Sequence, residues 1–97
     1  MKLAEFQRLI ERIYYDRDKA RGSGGTFMWF LEEVGELATA LRTGAERPQL
    51  AAEFADVLAW LFTLASISGV EMEEAIAKYA DGCPCCHHAP CTCSNKK

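Results

Sequence analysis

Clustered positive charge is almost missing from this 97-residue chain. Its basic residues are scattered singly (among them Arg8, Arg12, Arg17, Lys19, Arg21, Arg42, Arg47 and Lys78), only Lys96 and Lys97 are adjacent, and the net charge is −3. Binding to a nucleic-acid duplex calls for a basic face, so that partner class is excluded. A small anionic partner would have to bring a cation with it. A secretory signal is not expected either, because Glu5, Arg8, Glu11 and Arg12 interrupt every apolar run near the start. The longest apolar stretch, Val57 to Ile67, is broken by Thr63 and Ser66. It falls short of the roughly 20 residues that cross a bilayer, which predicts a buried helix and no membrane partner. Gly22, Gly24 and Gly25 do not form a phosphate-binding loop of the strand–loop–helix kind, since no strand precedes them and no Gly-Lys-Ser/Thr follows. Sustained strand alternation is absent throughout. The expectation is a cytoplasmic, all-α protein.

What is present is helical periodicity. Leu3, Phe6, Leu9, Ile10 and Ile13 recur at three- and four-residue intervals, which predicts a helix from about Lys2 to Arg17. The glycines of Arg21-Gly22-Ser23-Gly24-Gly25 predict a break. Thr26 is placed to N-cap a second helix reaching Arg42, with Phe27, Phe30, Leu31, Val34, Leu37, Ala38 and Leu41 as its apolar face and Thr43-Gly44 as its stop. Pro48 suits the first turn of a third helix, which carries Leu50, Phe54, Val57, Leu58, Leu61, Phe62 and Ala65 to about Ile67. A fourth, shorter helix is expected from about Glu71 to Tyr79, with acids in its first turn where the helix dipole favours them. The predicted architecture is an antiparallel bundle of about four helices over residues 1–80. A separate tail, 81–97, has no hydrophobic periodicity. A core this small would gain from oligomerisation or a metal staple.

The candidate chemistry lies in two acidic pairs. Glu33 and Glu36 in the second helix, and Glu53 and Asp56 in the third, are each spaced three apart and so project from adjacent turns on one side. On a helical wheel Glu33 and Glu36 share a side with Trp29 and Ala40. Glu53 and Asp56 share theirs with Trp60 and flank the stripe of Val57, Leu61 and Leu64. Antiparallel packing would turn both pairs toward one groove. Four carboxylates gathered there repel one another unless a cation neutralises them. A hard divalent ion with oxygen ligands fits, and Mg²⁺ characteristically shares a few carboxylates with substrate phosphates. Glu32 points about 100° away from Glu33, one helical step, and is open to three roles: a second ion, a general base, or plain solvation. A solvated acidic helix face is the bland alternative for both pairs. Trp29 and Trp60 could stack on a base or serve as core or interface tryptophans. Arg17 and Arg21 could line the entrance to the groove.

The run Glu32-Glu33-Val34-Gly35-Glu36, sixteen intervening residues, and then Glu53-Phe54-Ala55-Asp56 resembles the signature of the MazG-like nucleotide pyrophosphohydrolases. That group belongs to a wider all-α superfamily with the dimeric dUTPases and the phosphoribosyl-ATP pyrophosphohydrolases. The flanking words, Phe30-Leu31 before the first motif and Val57-Leu58 after the second, fit as well. The resemblance implies Mg²⁺-dependent cleavage of a nucleoside triphosphate between the α and β phosphates, giving the monophosphate and pyrophosphate. It implies Glu33, Glu36, Glu53 and Asp56 as Mg²⁺ ligands, with Glu32 as the first motif acid and Lys78 as a phosphate contact. It further implies a homodimer or homotetramer. Where the family often carries an Asn, this chain has Asp81-Gly82. A competing expectation is a non-enzymatic helical adaptor that presents its tail to a protein partner.

The tail reads Cys83-Pro84-Cys85-Cys86-His87-His88-Ala89-Pro90-Cys91-Thr92-Cys93. Closely spaced cysteines of this kind suit a tetrahedral thiolate site for Zn²⁺. The best set is Cys83, Cys86, Cys91 and Cys93, with Cys85, His87 or His88 as substitutes. Five cysteines are odd for a closed disulfide set, and a reducing compartment disfavours one. Four thiolates leave no open position, so the site reads as structural. Zinc binding, worth on the order of 10 kcal/mol, would fold a tail that has no core of its own.

Overall fold

A computed structural model describes residues 1–94, and the end of the tail, 95–97, lies outside the described residues. The protein is all-α, with no strand among the described residues. Helix α1 spans Leu3–Thr43, α2 spans Arg47–Ile67 and α3 spans Met72–Ala75, followed by a 3₁₀ turn over Ile76–Tyr79.

The first two expected helices are one kinked element. Inside α1 only Gly22 leaves helical geometry, at φ 82 and ψ 170. The break expected over residues 21–25 is therefore a single residue wide, and helix continues on both sides of it. Thr26 does not cap a helix. It is fully buried, with its Oγ1 3.4 Å from Arg21 Nη1. The same Arg21 nitrogen donates to the buried Asp18 at 3.0 Å. These contacts knit the two arms across the kink, and spacing rules that stop a helix at glycine have no view of them.

The second arm ends as expected. Gly44 adopts the left-handed conformation at φ 68 and ψ 43. The Ala45 N–H then closes on the Ala40 carbonyl at 2.9 Å, the pattern that lets glycine finish a helix. Pro48 lies in the first turn of α2, where its missing N–H costs nothing. The short turn folds α2 back antiparallel to α1. The expected fourth helix is only one α-turn plus one 3₁₀ turn, with none of its residues buried. With Ile76 and Tyr79 left exposed, so short a segment gains little from extending its helical ladder.

The first arm of α1 is pinned to the far end of α2. Gln7 is completely buried, and its Nε2 donates to Ser66 Oγ at 3.0 Å and to the Val70 carbonyl at 2.9 Å. Its Oε1 accepts the Met72 N–H at 2.9 Å, and Ser66 Oγ donates to Glu11 at 2.8 Å. Both amide donors are thus used, as burial demands. Phe6 meets Phe62 edge-to-face, with ring centroids 5.2 Å apart. Arg8 pairs with Glu11 and Glu71, tying the start of α3 to the same arm.

The core differs from the expected one. Among the described residues, the buried apolar side chains are Ile10, Ala40, Phe62 and Ala65. Phe27, Leu31, Val34 and Leu41 on α1, and Phe54, Leu58 and Leu61 on α2, are exposed within the single chain. Two long helices can cover only one side of each other, so the remaining stripes stay open. By length and composition alone α2 could cross a membrane, with a mean hydropathy of 1.6. Within the fold it is the helix against which both arms of α1 pack, and it carries Glu53 and Asp56.

The Gly22 geometry lies in a region that side-chain-bearing residues avoid at a cost of about 1–3 kcal/mol. Gly22→Ala is expected to lower unfolding free energy by about that amount in urea titrations. Gly24 is helical, and an added Cβ there meets no atom within 4 Å. Gly24→Ala is therefore expected to be neutral or stabilising by up to about 1 kcal/mol.

Candidate active site

Antiparallel packing brings three of the four expected acids into one close group, and Glu36 falls outside it. Carboxylate oxygens of Glu33, Glu53 and Asp56 all lie within 4.8 Å of one another. Glu36 stands one turn along from Glu33 and interacts with it directly. One oxygen of Glu33 and one of Glu53, Oε2 in each, is buried with no hydrogen-bond partner. A buried acceptor left unpaired costs on the order of 1–3 kcal/mol, more when it is charged. Two such atoms within one acidic group mark a place for a cation. The Glu33 carboxyl is pushed up to about 7, first by burial and then by Glu36, as hydrogen-bond partner and as charge, with Asp56 and Glu53 adding repulsion. The donor set, all carboxylate oxygen, fits a hard divalent ion such as Mg²⁺.

A cavity of about 230 Å³ opens beside Asp56, lined among others by Tyr14, Arg17, Asp18, Arg21 and Trp60. The Arg21 guanidinium sits 4.9 Å from the centre of the Trp60 ring, and Trp60 stacks on Trp29 at 6.1 Å with 15° between the planes. Positive charge and aromatic surface thus adjoin the acidic group, supplied by the first arm of α1 and by α2.

The MazG nucleotide pyrophosphohydrolase domain matches residues 23–86. The chain belongs to that family. Membership implies nucleotide pyrophosphohydrolase activity, and a nucleotide as the substrate class. A comparison with curated proteins finds no match. The matched MazG segment starts one residue beyond the Gly22 kink and holds both acidic pairs, both tryptophans and Lys78. The first arm of α1, with Arg17 and Arg21, lies outside it.

The other expected site residues of this MazG chain fall in different places. Glu32 is exposed and outside the close acidic group. Lys78 lies with its ammonium 5.4 Å from the Tyr79 ring centre and lines a cavity of about 640 Å³ against the cysteine tail, not the one beside Asp56. Tyr14, Asp18 and Thr63 line the cavity beside Asp56 without having been singled out by sequence. The Asp18–Arg21 pair has a recognisable i,i+3 spacing, and ending the first helix at Arg17 concealed it.

Cys83, Cys86, Cys91 and Cys93 form a second close group, each offering a sulfur within 4.8 Å of the others. Cys85 is exposed and stands apart from it. Thr92, through its hydroxyl and backbone N–H, holds the Cys86 thiol down to about 5. The Cys93 thiol is raised, chiefly by the Cys91 sulfur and then by those of Cys86 and Cys83. Both the acidic group and the cysteine group could therefore hold metal ions.

Glu33 gives the metal-free protein a defined pH response. Its folded value, about 7, exceeds the ordinary 4.5. Between those values the folded chain keeps a proton the unfolded chain has lost, so stability falls as pH rises through that window and levels off above it. The melting temperature in magnesium-free buffer is expected to drop between pH 5 and about pH 7. Added Mg²⁺ should raise it at pH 8 and do little at pH 5, and Glu33→Gln should flatten both responses.

Proposed function

We propose that this protein hydrolyses nucleoside triphosphates, ribo- or deoxyribo-, between the α and β phosphates, releasing the monophosphate and pyrophosphate with Mg²⁺ as cofactor. A role in clearing unwanted nucleotides from a cytoplasmic pool suits that activity. The observation that carries the reading is the convergence of Glu33, Glu53 and Asp56, two of them with an unpartnered buried oxygen, within a MazG domain.

In this reading Glu33, Glu36, Glu53 and Asp56 hold the ion. When bound, Mg²⁺ neutralises phosphate charge and polarises the phosphoryl oxygens and a water molecule. The chain's own residues do the rest. The acids fix the ion between α1 and α2, so the triphosphate is bound where the two helices face each other. Arg17 and Arg21, at the cavity beside Asp56, offset the charge of the phosphates from the other side. Trp29 and Trp60 offer flat apolar surface for the base. Glu32, exposed next to Glu33, is available to take a proton from the attacking water. Lys78 reaches a phosphate only if a second chain presents it, since within one chain it lines the other cavity.

A homodimer or homotetramer is part of the proposal. Phe27, Leu31, Val34 and Leu41 recur at helical spacing on α1, as do Phe54, Leu58 and Leu61 on α2, and all are exposed in the single chain. Apolar stripes of that extent mark an association surface. The acids lie on the opposite side of α1, so burying these stripes between copies leaves the cation site open.

Incubation of the protein with Mg²⁺ and a panel of ribo- and deoxyribonucleoside triphosphates, followed by ³¹P NMR, should show monophosphate and pyrophosphate with no free orthophosphate. Glu53→Gln is expected to lower kcat/KM by about 100-fold or more with the circular dichroism spectrum unchanged, because metal-based charge stabilisation carries several kcal/mol. No turnover of any triphosphate by folded protein would defeat the reading. Light scattering on a size-exclusion column should give two or four chains for the wild type. Leu58→Glu should shift that mass toward one chain.

A further inference from the structure

We propose that the tail binds one structural Zn²⁺ per chain through Cys83, Cys86, Cys91 and Cys93, independently of the acidic site and of hydrolysis. The sulfurs of Cys83 and Cys93 lie 3.8 Å apart, and those of Cys86 and Cys91 lie 3.9 Å apart. Four sulfurs bonded at about 2.3 Å around a tetrahedral zinc are separated by about 3.8 Å, whereas a disulfide draws its sulfurs to about 2.05 Å. The separations are those of ligands around a shared centre. All four sulfurs fall within 4.8 Å of one another, a set that excludes Cys85 and both histidines.

The backbone is shaped to support such a centre. The Thr92 N–H donates to Cys86 Sγ at 3.4 Å and the Cys93 N–H to Cys91 Sγ at 3.3 Å. Amide donors of this kind stabilise thiolate ligands. The loop closes on itself through Cys83 N–H to the His88 carbonyl at 2.9 Å and His87 N–H to the Cys83 carbonyl at 2.7 Å. Gly82 makes that closure possible: its φ is +103, and a Cβ there would sit 2.8 Å from the His88 carbonyl. No residue from Glu73 through Ser94 is buried, so the tail lacks the apolar burial that fixes α1 and α2. A metal–thiolate centre supplies the missing constraint. Thiolate tetrahedra select zinc or iron, and a closed four-sulfur set with no open position matches structural zinc.

The full chain, expressed in zinc-containing medium and purified under reducing conditions, should contain one zinc per chain by elemental mass spectrometry. Cobalt substitution should give the intense visible bands of a tetrahedral cobalt–thiolate centre. Cys86→Ser and Cys91→Ser should lose the zinc while keeping the helical circular dichroism of the body. Cys85→Ser, His87→Ala and Glu33→Gln should keep it, the last showing that zinc content reports nothing about the acidic site. Three results would overturn the assignment: iron in place of zinc, full zinc retention by Cys86→Ser, or a metal-free wild type whose mass shows two disulfides.

Discussion

The reversal at Gly44 is the constraint on which the site depends. A helix normally ends with carbonyls that need donors, and here a left-handed glycine lets Ala45 supply one. The chain then turns back within three residues of loop, Gly44 to Glu46, and α2 begins at once. So tight a turn leaves little freedom in how α2 lies against α1. Glu33 and Glu53, on consecutive helices, are carried to the same level of the pair. Packing carboxylates together is unfavourable on its own, and the rise of the Glu33 carboxyl to about 7 records that repulsion and burial. Helix pairing holds the acids in place against it, in a group whose carboxylate oxygens could hold a metal ion.

The first arm of α1 has a different task. It is fixed at two points, by the buried Gln7 at the far end of α2 and by Asp18, Arg21 and Thr26 across the kink. Between these points it brings Arg17 and Arg21 to the cavity beside Asp56. The MazG match begins just after the kink. The arm lies outside the matched segment, yet it forms one wall of the space beside the acids. The arm thus sets two guanidinium groups at the cavity that opens beside the carboxylates.

Much of this was legible in residue order. Helical periodicity gave α2 and the two arms of α1, as separate helices, Gly44 and Pro48 marked the turn before α2, and the spacing of Glu33, Glu36, Glu53 and Asp56 put each pair on one face. Those features are local, decided within a few residues by backbone geometry. The core was less legible. Periodicity reports that a stripe is apolar and not what covers it: Phe27, Leu31, Phe54 and Leu58 stand on apolar helix faces, and one chain leaves them open. The burial of Gln7, and of Thr26 that spacing marks as a cap, is invisible for the converse reason: polar residues enter a core only when partners satisfy them, and those partners are Ser66, Val70, Met72 and Arg21.

The sequence by itself determined the two long helical stretches that carry the acids, the pairing of acids on each, and the set of cysteines from which a thiolate site can be drawn. Short-range rules of spacing, capping and ligand chemistry are enough for those. Tertiary structure alone decided that the glycine-rich stretch bends at one residue, that Arg21 stacks over Trp60 beside Asp56, and that Cys85 stands outside the sulfur group. Each of these depends on directions in space that accumulate along the chain, and residue spacing carries no record of them.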